Sequence, residues 1–316
     1  MNMLKDLRNR HSSDLLRQLF PLISLIVVCA FFEIASGGKL FSAVTVKAFP
    51  NYAFQVIIPA CGLAFLMSQG ELDFAMAAEV TICAALGAMA SIISPWLAIV
   101  VTLSAGLLMG LINSIFTIWL GISSFIATLA ASFMYGGLAS VLLGGGALIA
   151  DYSLKKGDVL WLKYLFIVLS LVFVLTVLKY TPFGKYCCAI GARPEVAKQS
   201  GINMTLVKMI PFLICSMSCS VEALFVLART CSASTTSGGS TQMNALLALL
   251  LGGVPFSGGW ASKFRCVLLG SLLMAVITYG FSILNISARA QQVAKGLLFV
   301  IAVALSFDRK NTAVIK

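Results

Sequence analysis

Among the ionisable residues of this 316-residue chain, Asp73, Glu79, Glu222 and Lys295 stand deep in or just beside apolar runs. A charge at membrane depth costs at least about 2.5–3.5 kcal/mol on insertion scales, so each needs a partner, water or a nearby interface. Such groups serve as proton sites, as structural ion pairs or as the polar wall of a path. Glu71 and Asp73 adjoin Gly70, where a broken helix would add backbone donors and acceptors. Asp73 is therefore a candidate for a translocation path or its gate, and an ion pair with Lys295 is the plainer reading. Asn113, Thr128, Asn244, Asn285 and Gln292 add neutral hydrogen-bonding groups, and Phe125 adds apolar bulk. That mixture suits passage of a neutral polyhydroxylated solute, with Phe125 as the gate candidate against simple core packing. Asp73, Asn113, Phe125, Thr128, Asn244 and Gln292 make up the candidate path.

Other chemistry is excluded by what the chain lacks. The single histidine, His11, lies in a basic N-terminal arm, and no nucleophile stands with a base, so hydrolase chemistry finds no catalytic residues here. No Gly-x-x-x-x-Gly-Lys-Ser/Thr phosphate loop occurs, which removes ATP binding by that route. The nine cysteines have no metal-ligand spacing and read as small apolar packing residues, with Cys187 and Cys188 too close for easy bridging. No metal or cofactor is expected in the chain itself.

The elements that must position these residues are membrane helices. Hydrophobic residues make up 60% of the chain and charged ones only 10%, against about 25–35% charged on a soluble surface. Apolar runs recur, each near the roughly 20 residues that one helix needs to cross about 30 Å of hydrocarbon. They lack the period-2 alternation of a barrel. Charges, Pro and Gly used as punctuation predict segments near 19–36, 51–68, 74–93, 96–118, 123–149, 160–178, 207–228, 241–258, 264–283 and 287–307. The fold class is thus all-α and polytopic, with about ten transmembrane helices, or eight or nine if the segments around Gly70 and Gly252 are broken or re-entrant.

The net charge of +11 would suggest nucleic acid in a soluble protein, but here it marks topology. Fourteen of the 22 Lys and Arg fall at segment ends on the side of the N-terminus, seven at the opposite ends, and Lys295 within a span. Both termini are therefore expected in the cytoplasm. Residues 1–18 form a cytoplasmic arm, loosely like a secretory n-region but with no cleavage site after it, and Leu19 to Ser36 reads as a retained first span. Residues 179–208 form the longest polar interval, and 1–316 is read as a single transmembrane domain. Gly106 and Gly110 have the spacing that lets helix backbones approach in lipid, which favours packing over a ligand role. Two Gly-rich segments, Ser68 to Ala78 and Ser237 to Gly259, occupy corresponding places in the two halves. Paired discontinuous helices of this kind are a transporter pattern. The Ser-rich run Ser232 to Ser240 reads as an external loop.

The interval Thr181 to Asn203 carries a short helix in its second half. Pro194 suits a first helical position, Glu195 the positive end, Lys198 the negative end, and Gly201 a left-handed stop. Such a helix on the inner face is a ready partner surface.

At this point the chain resembles the permease subunits of ribose-, xylose- and galactose-type sugar ATP-binding cassette importers of the bacterial inner membrane. Five stretches carry the resemblance, and together they run over nearly the whole chain. They are Gly-Glu-Leu-Asp-Phe-Ala-Met-Ala at Gly70 to Ala77, Asn113 with Ser-Phe-Ile-Ala-Thr-Leu at Ser124 to Leu129, Thr181 to Asn203, Leu251-Gly-Gly-Val with Gly258 and Gly259, and Gln291-Gln-Val-Ala-Lys-Gly. The resemblance implies that Pro194 to Gly201 is the coupling helix, docked on a cytoplasmic ATPase, with Arg193, Pro194, Glu195, Ala197, Ser200 and Gly201 as coupling residues. It also implies a second permease copy or paralogue, an external sugar-binding protein, and ATP with Mg on the ATPase alone. Where the family usually has Gly-Glu-Ile-Asp-Leu-Ser-Val-Gly, this chain has Ala75 for the Ser and Ala77 for the last Gly, which bears on the substrate more than the mechanism. Related permeases for branched-chain amino acids, nucleosides or a furanosyl signalling molecule are the alternatives, followed by an ion-coupled carrier using Asp73, Glu79 or Glu222. The amino-acid branch fits less well at Thr181 to Gly201.

Overall fold

The computed structural model describes residues 21–259 and 264–306. The arm 1–18 and its charges, together with Lys263, Arg309, Lys310 and Lys316, lie outside the described residues. The helices are α1 (Pro21–Ala35), α2 (Ala43–Ser68), α3 (Met76–Ser91), α4 (Pro95–Ser114), α5 (Ser124–Leu142), α6 (Leu160–Tyr180), α7 (Pro182–Ala192), α8 (Pro194–Gln199), α9 (Met204–Thr230), α10 (Thr241–Leu251), α11 (Phe264–Ile283) and α12 (Ala288–Ser306). Six of them are long and apolar enough to cross a membrane: α2, α4 with the wide turn Ile115–Trp119 that continues it, α5, α6, α9 and α11. Helices α1, α3 and α10 are apolar but shorter.

Several boundaries differ from those expected. Helix α2 begins at Ala43 rather than near 51, because Ser42 caps it by accepting the Thr45 N–H and because Pro50 sits inside the helix instead of ending it. Helix α5 stops at Leu142, short of 149. Residues Ala147–Ile149 form strand β1, which pairs antiparallel with β2 (Ser232–Ser234), so the run expected as an external loop starts as a strand. Helix α10 ends at Leu251, and the chain to Gly259 is non-helical. The first half of the polar interval is helical as well: Thr181 accepts the Gly184 N–H and Pro182 opens α7.

Side-chain size decides which helices are central. Helix α3 carries mostly small residues, and Ala84, Ala85 and Ala88 are fully buried among α4, α5, α9 and α10. Helix α2 is buried along most of its length against α6, α9, α10 and α11. The outward faces of α4, α5 and α6 instead present large apolar groups such as Trp96, Phe133, Val141 and Trp161, as a hydrocarbon solvent requires. Gly106 and Gly110 do serve packing. A methyl group added at Gly106 would lie 2.5 Å from the Ser220 Cβ, and one at Gly110 2.9 Å from the Leu213 Cα, so α4 and α9 touch backbone to backbone.

Candidate functional site: two helix breaks that meet

The first break, residues 69–75, separates α2 from α3. Gly70 turns the chain with φ +78, a conformation that L side chains rarely adopt. The break frees backbone donors inside the bundle, and side chains of α5 satisfy them: the Leu72 N–H donates to Ser124 Oγ at 3.3 Å and the Phe74 N–H to Thr128 Oγ1 at 2.9 Å. Asp73 Oδ1 accepts the Ala75 N–H at 2.8 Å, just ahead of α3. Phe74 packs edge-on against Phe125 with ring centroids 4.9 Å apart. Glu71 forms a 2.8 Å ion pair with Lys208 at the start of α9.

One turn into α3, Glu79 is completely buried. Its Oε1 accepts both Asn113 Nδ2 of α4 and Ser216 Oγ of α9, each at 2.8 Å. Tyr135 of α5 then donates its hydroxyl to Asn113 Oδ1 at 2.9 Å. Asp73, Glu79, Asn113, Thr128 and Phe125 are therefore drawn into one cluster around the first break. Tyr135 and Ser216 belong to it and escaped the reading of the sequence. Tyr135 was detectable, since a tyrosine in an apolar span must place its hydroxyl on a partner. Ser216 carried no such signal among many serines.

The second broken region begins where β2 leads inward. Gly238 lies flat on α3: its N–H donates to Thr81 Oγ1 at 3.0 Å, and an added Cβ would fall 1.8 Å from the Ala77 carbonyl oxygen. Helix α10 starts there. Thr241 donates to Glu222 Oε1 at 2.8 Å, and Lys295 Nζ donates to Ser240 Oγ at 3.0 Å. The expected Asp73–Lys295 pair is thus not formed, because Lys295 reaches the head of α10 from α12 while Asp73 is held at the head of α3. Asn244 is buried within α10, Gln292 is exposed on α12, and Asn285 takes a left-handed turn conformation (φ 54) between α11 and α12 that asparagine tolerates. Beyond α10 the chain returns to the first break: the Gly259 N–H donates to the Ser68 carbonyl at 2.9 Å, and a Cβ on Gly258 would stand 2.5 Å from the Gly70 nitrogen. The two discontinuities thus touch beyond the C-terminal end of α10, while ahead of its N-terminal end Gly238 packs on the first turns of α3.

Two cavities lie near these elements. One of about 520 Å³ opens between α2, α4, α6 and α9, lined mostly by apolar groups such as Leu107, Phe173 and Met217, with the Ser170 and Ser218 hydroxyls and no charged side chain. The other, about 10 Å³ and lined by Asn51, Gln55, Lys163, Glu222 and Arg229, has room for about one water. Lys163 is paired with Asp158 and bonded to Asn51 beside it.

Helices α7 and α8 sit at the end of the bundle where α2 finishes. Gln69 Nε2 donates to the Val207 carbonyl at 2.7 Å and to Cys187 Sγ at 3.2 Å, tying α2, α7 and α9 together. Burial pushes the Cys187 thiol up to about 12, which suits a packing residue. On α8, Ala197 is buried with Cys187, Ile190 and Val207. Arg193, Pro194, Glu195, Ser200 and Gly201 are exposed around it. The short helix is therefore seated by one methyl group and presents its polar residues outward.

A helical bundle with several apolar spans, paired helix breaks at its centre and an exposed short helix at one end defines a polytopic membrane protein built like a transporter. Residues 48–303 match the family model described as the permease component of the branched-chain amino acid transport system, and the chain belongs to that family. It is similar to the ribose import permease protein of Bacillus subtilis (strain 168), 29% identical over 313 residues that cover 96% of each chain. It is also similar to the xylose transport system permease protein of Haemophilus influenzae (26% identical, covering 92% of this chain and 96% of the relative) and to the galactose/methyl galactoside import permease protein of Salmonella typhimurium (29%, covering 66% of each). No solved structure gives a significant match.

Proposed function

We propose that this chain is the membrane-spanning permease subunit of an ATP-binding cassette importer that carries a monosaccharide or similar small polar solute across the bacterial inner membrane by alternating access. The observation that carries this reading is the end-to-end similarity to a ribose import permease, with xylose and galactose permeases beside it. The family description names branched-chain amino acids, but these relatives are named for sugars, and sugar is the substrate class we assign.

In this reading 1–316 is one transmembrane domain of ten crossings: α1 to α6, α9, α10 with its non-helical tail, α11 and α12. Both termini and the loop 179–208 face the cytoplasm. Arg193, Pro194, Glu195, Ser200 and Gly201 form the surface that meets a cytoplasmic ATPase, while Ala197 seats the helix. ATP and Mg belong to that ATPase. A second permease copy or paralogue completes the pore, and an external binding protein delivers the solute. Phe125 and Gln292, being exposed, are the candidate path residues that a solute would touch. Asp73, Asn113, Thr128 and Asn244 shape the wall from behind.

The test is a mild-detergent pull-down of the tagged chain from its native membranes, with mass spectrometry of copurifying proteins and released small molecules. Recovery of a phosphate-loop ATPase and a sugar-loaded binding protein is expected. Recovery of the chain alone, with no ATPase at any detergent concentration that keeps it folded, would contradict the assignment.

A further inference from the structure

None of the candidate path residues lines the cavity of about 520 Å³ between α2, α4, α6 and α9. It is a groove in the flank of the bundle: its floor, Ile58, Cys61 and Gly62 of α2, is buried, while Leu107, Leu169 and Phe173 on its rim are exposed. Packing keeps it open. Helix α9 lies close on α2, since a Cβ on Gly62 would stand 3.0 Å from the Cys215 Cα. Helix α6 is instead propped on aromatic pairs, Phe173 on Phe65 with ring centroids 5.8 Å apart and Phe166 on Phe225 at 5.5 Å.

Chemistry and shape narrow what fills the groove. Water finds little to bind there, because the Ser170 and Ser218 hydroxyls already donate to the Ile167 and Cys215 carbonyls of their own helices, at 2.9 and 2.6 Å, and no charged side chain lines the space. Left empty, the groove would deprive its lining of dispersion contacts. Along α9 the lining runs from Ile210 to Val221, about 16 Å of helix, against about 15 Å of hydrocarbon in one leaflet. That is the reach of one acyl chain. A head-group partner stands at the end of the bundle where α2 finishes. Tyr180 follows Phe173 by about two turns on the same face of α6, and the Lys179 ammonium lies 5.1 Å over the Tyr180 ring. Both side chains are exposed, and among the described residues no carboxylate pairs with Lys179. Lysine and tyrosine at the end of a span suit the membrane interface, where a phosphate meets the cation.

We infer that this groove is a resident lipid site, holding one acyl chain of a phospholipid whose phosphate rests on Lys179. Helix α6 packs chiefly on α2, so the chain also joins α6 to α9. The inference goes beyond the importer reading and holds whichever solute is carried.

Two measurements on the purified full-length chain test it. Native mass spectrometry from detergent should show one phospholipid retained under activation that strips the remaining lipid. A phospholipid bearing a diazirine midway along its tail, photolysed in proteoliposomes, should label Cys61, Leu213 or Met217 as well as the outward faces. Ser170→Trp, which fills the groove, should lose the retained lipid and the groove labels while the outward labels stay. Lys179→Ala should weaken retention of an anionic phospholipid about fivefold, as for one basic residue at a lipid surface. Labels confined to outward positions such as Val141 and Trp161 overturn the inference, as does a lipid retained equally by Ser170→Trp. Cross-links between groove positions of two copies would give the groove to a second copy and equally overturn it. The labelling needs only the unaltered chain, so it decides the matter even where a variant fails to fold. None of these readouts involves transport, so the importer reading stands or falls separately.

Discussion

Gly238→Val is expected to abolish solute uptake and to destabilise the bundle by at least about 3 kcal/mol, the upper part of the range for overpacking a filled core. The reason is geometric. An added Cβ meets the Ala77 carbonyl oxygen at 1.8 Å, and that atom belongs to the first turn of α3, so no side-chain rotation relieves the clash. Backing away would also break the bond from the Gly238 N–H to Thr81 and shift the head of α10, where Ser240 holds Lys295 and Thr241 holds Glu222. Thermal unfolding in detergent alongside vesicle uptake measures both effects. Even Gly238→Ala should unfold at a clearly lower temperature, and an alanine variant with wild-type stability would refute the close approach of Gly238 to α3.

The second large effect separates two halves of one short helix. Arg193 and Glu195 are exposed on α8, while Ala197 is buried against Cys187, Ile190 and Val207. Changing both Arg193 and Glu195 to alanine should leave the melting temperature of the chain unchanged yet cost at least about 2 kcal/mol of affinity for the ATPase proposed as its partner, roughly thirty-fold, as for truncated interface hot spots. ATP-driven uptake should fall accordingly. Ala197→Leu should do the reverse at first: it unseats α8 and lowers the melting temperature, with loss of coupling as a consequence. Equal binding of the ATPase by the Arg193/Glu195 double variant would remove α8 from the interface.

Much of this arrangement is legible in the chain because its signals are local. Pro194, Glu195, Lys198 and Gly201 bracket α8 within eight residues, and the structure places a helix at Pro194–Gln199. The glycines at 70, 238 and 258 mark breaks by their type. Pairing is a different matter. That Lys295 turns to Ser240 rather than Asp73 depends on which helix heads α12 passes, and nothing local to residues 291–296 encodes it. The wall of the first break is also non-local: Ser124 and Thr128 are about fifty residues from the N–H groups they satisfy, and Ser216 is farther still from Glu79. Punctuation misplaced the start of α2 for a related reason. Pro50 inside a helix and Pro50 at a boundary look alike until Ser42 is seen capping the turn before it.

The central claim is that this chain moves a sugar only under ATP hydrolysis by a partner, and uptake by proteoliposomes of the copurified assembly tests it most directly. With ATP and Mg supplied on the ATPase side and the binding protein loaded with labelled monosaccharide on the other, accumulation inside the ATP compartment is predicted, with none when ATP is replaced by a non-hydrolysable analogue. Accumulation by the chain alone in ATP-free vesicles, driven by an ion gradient, would contradict the account.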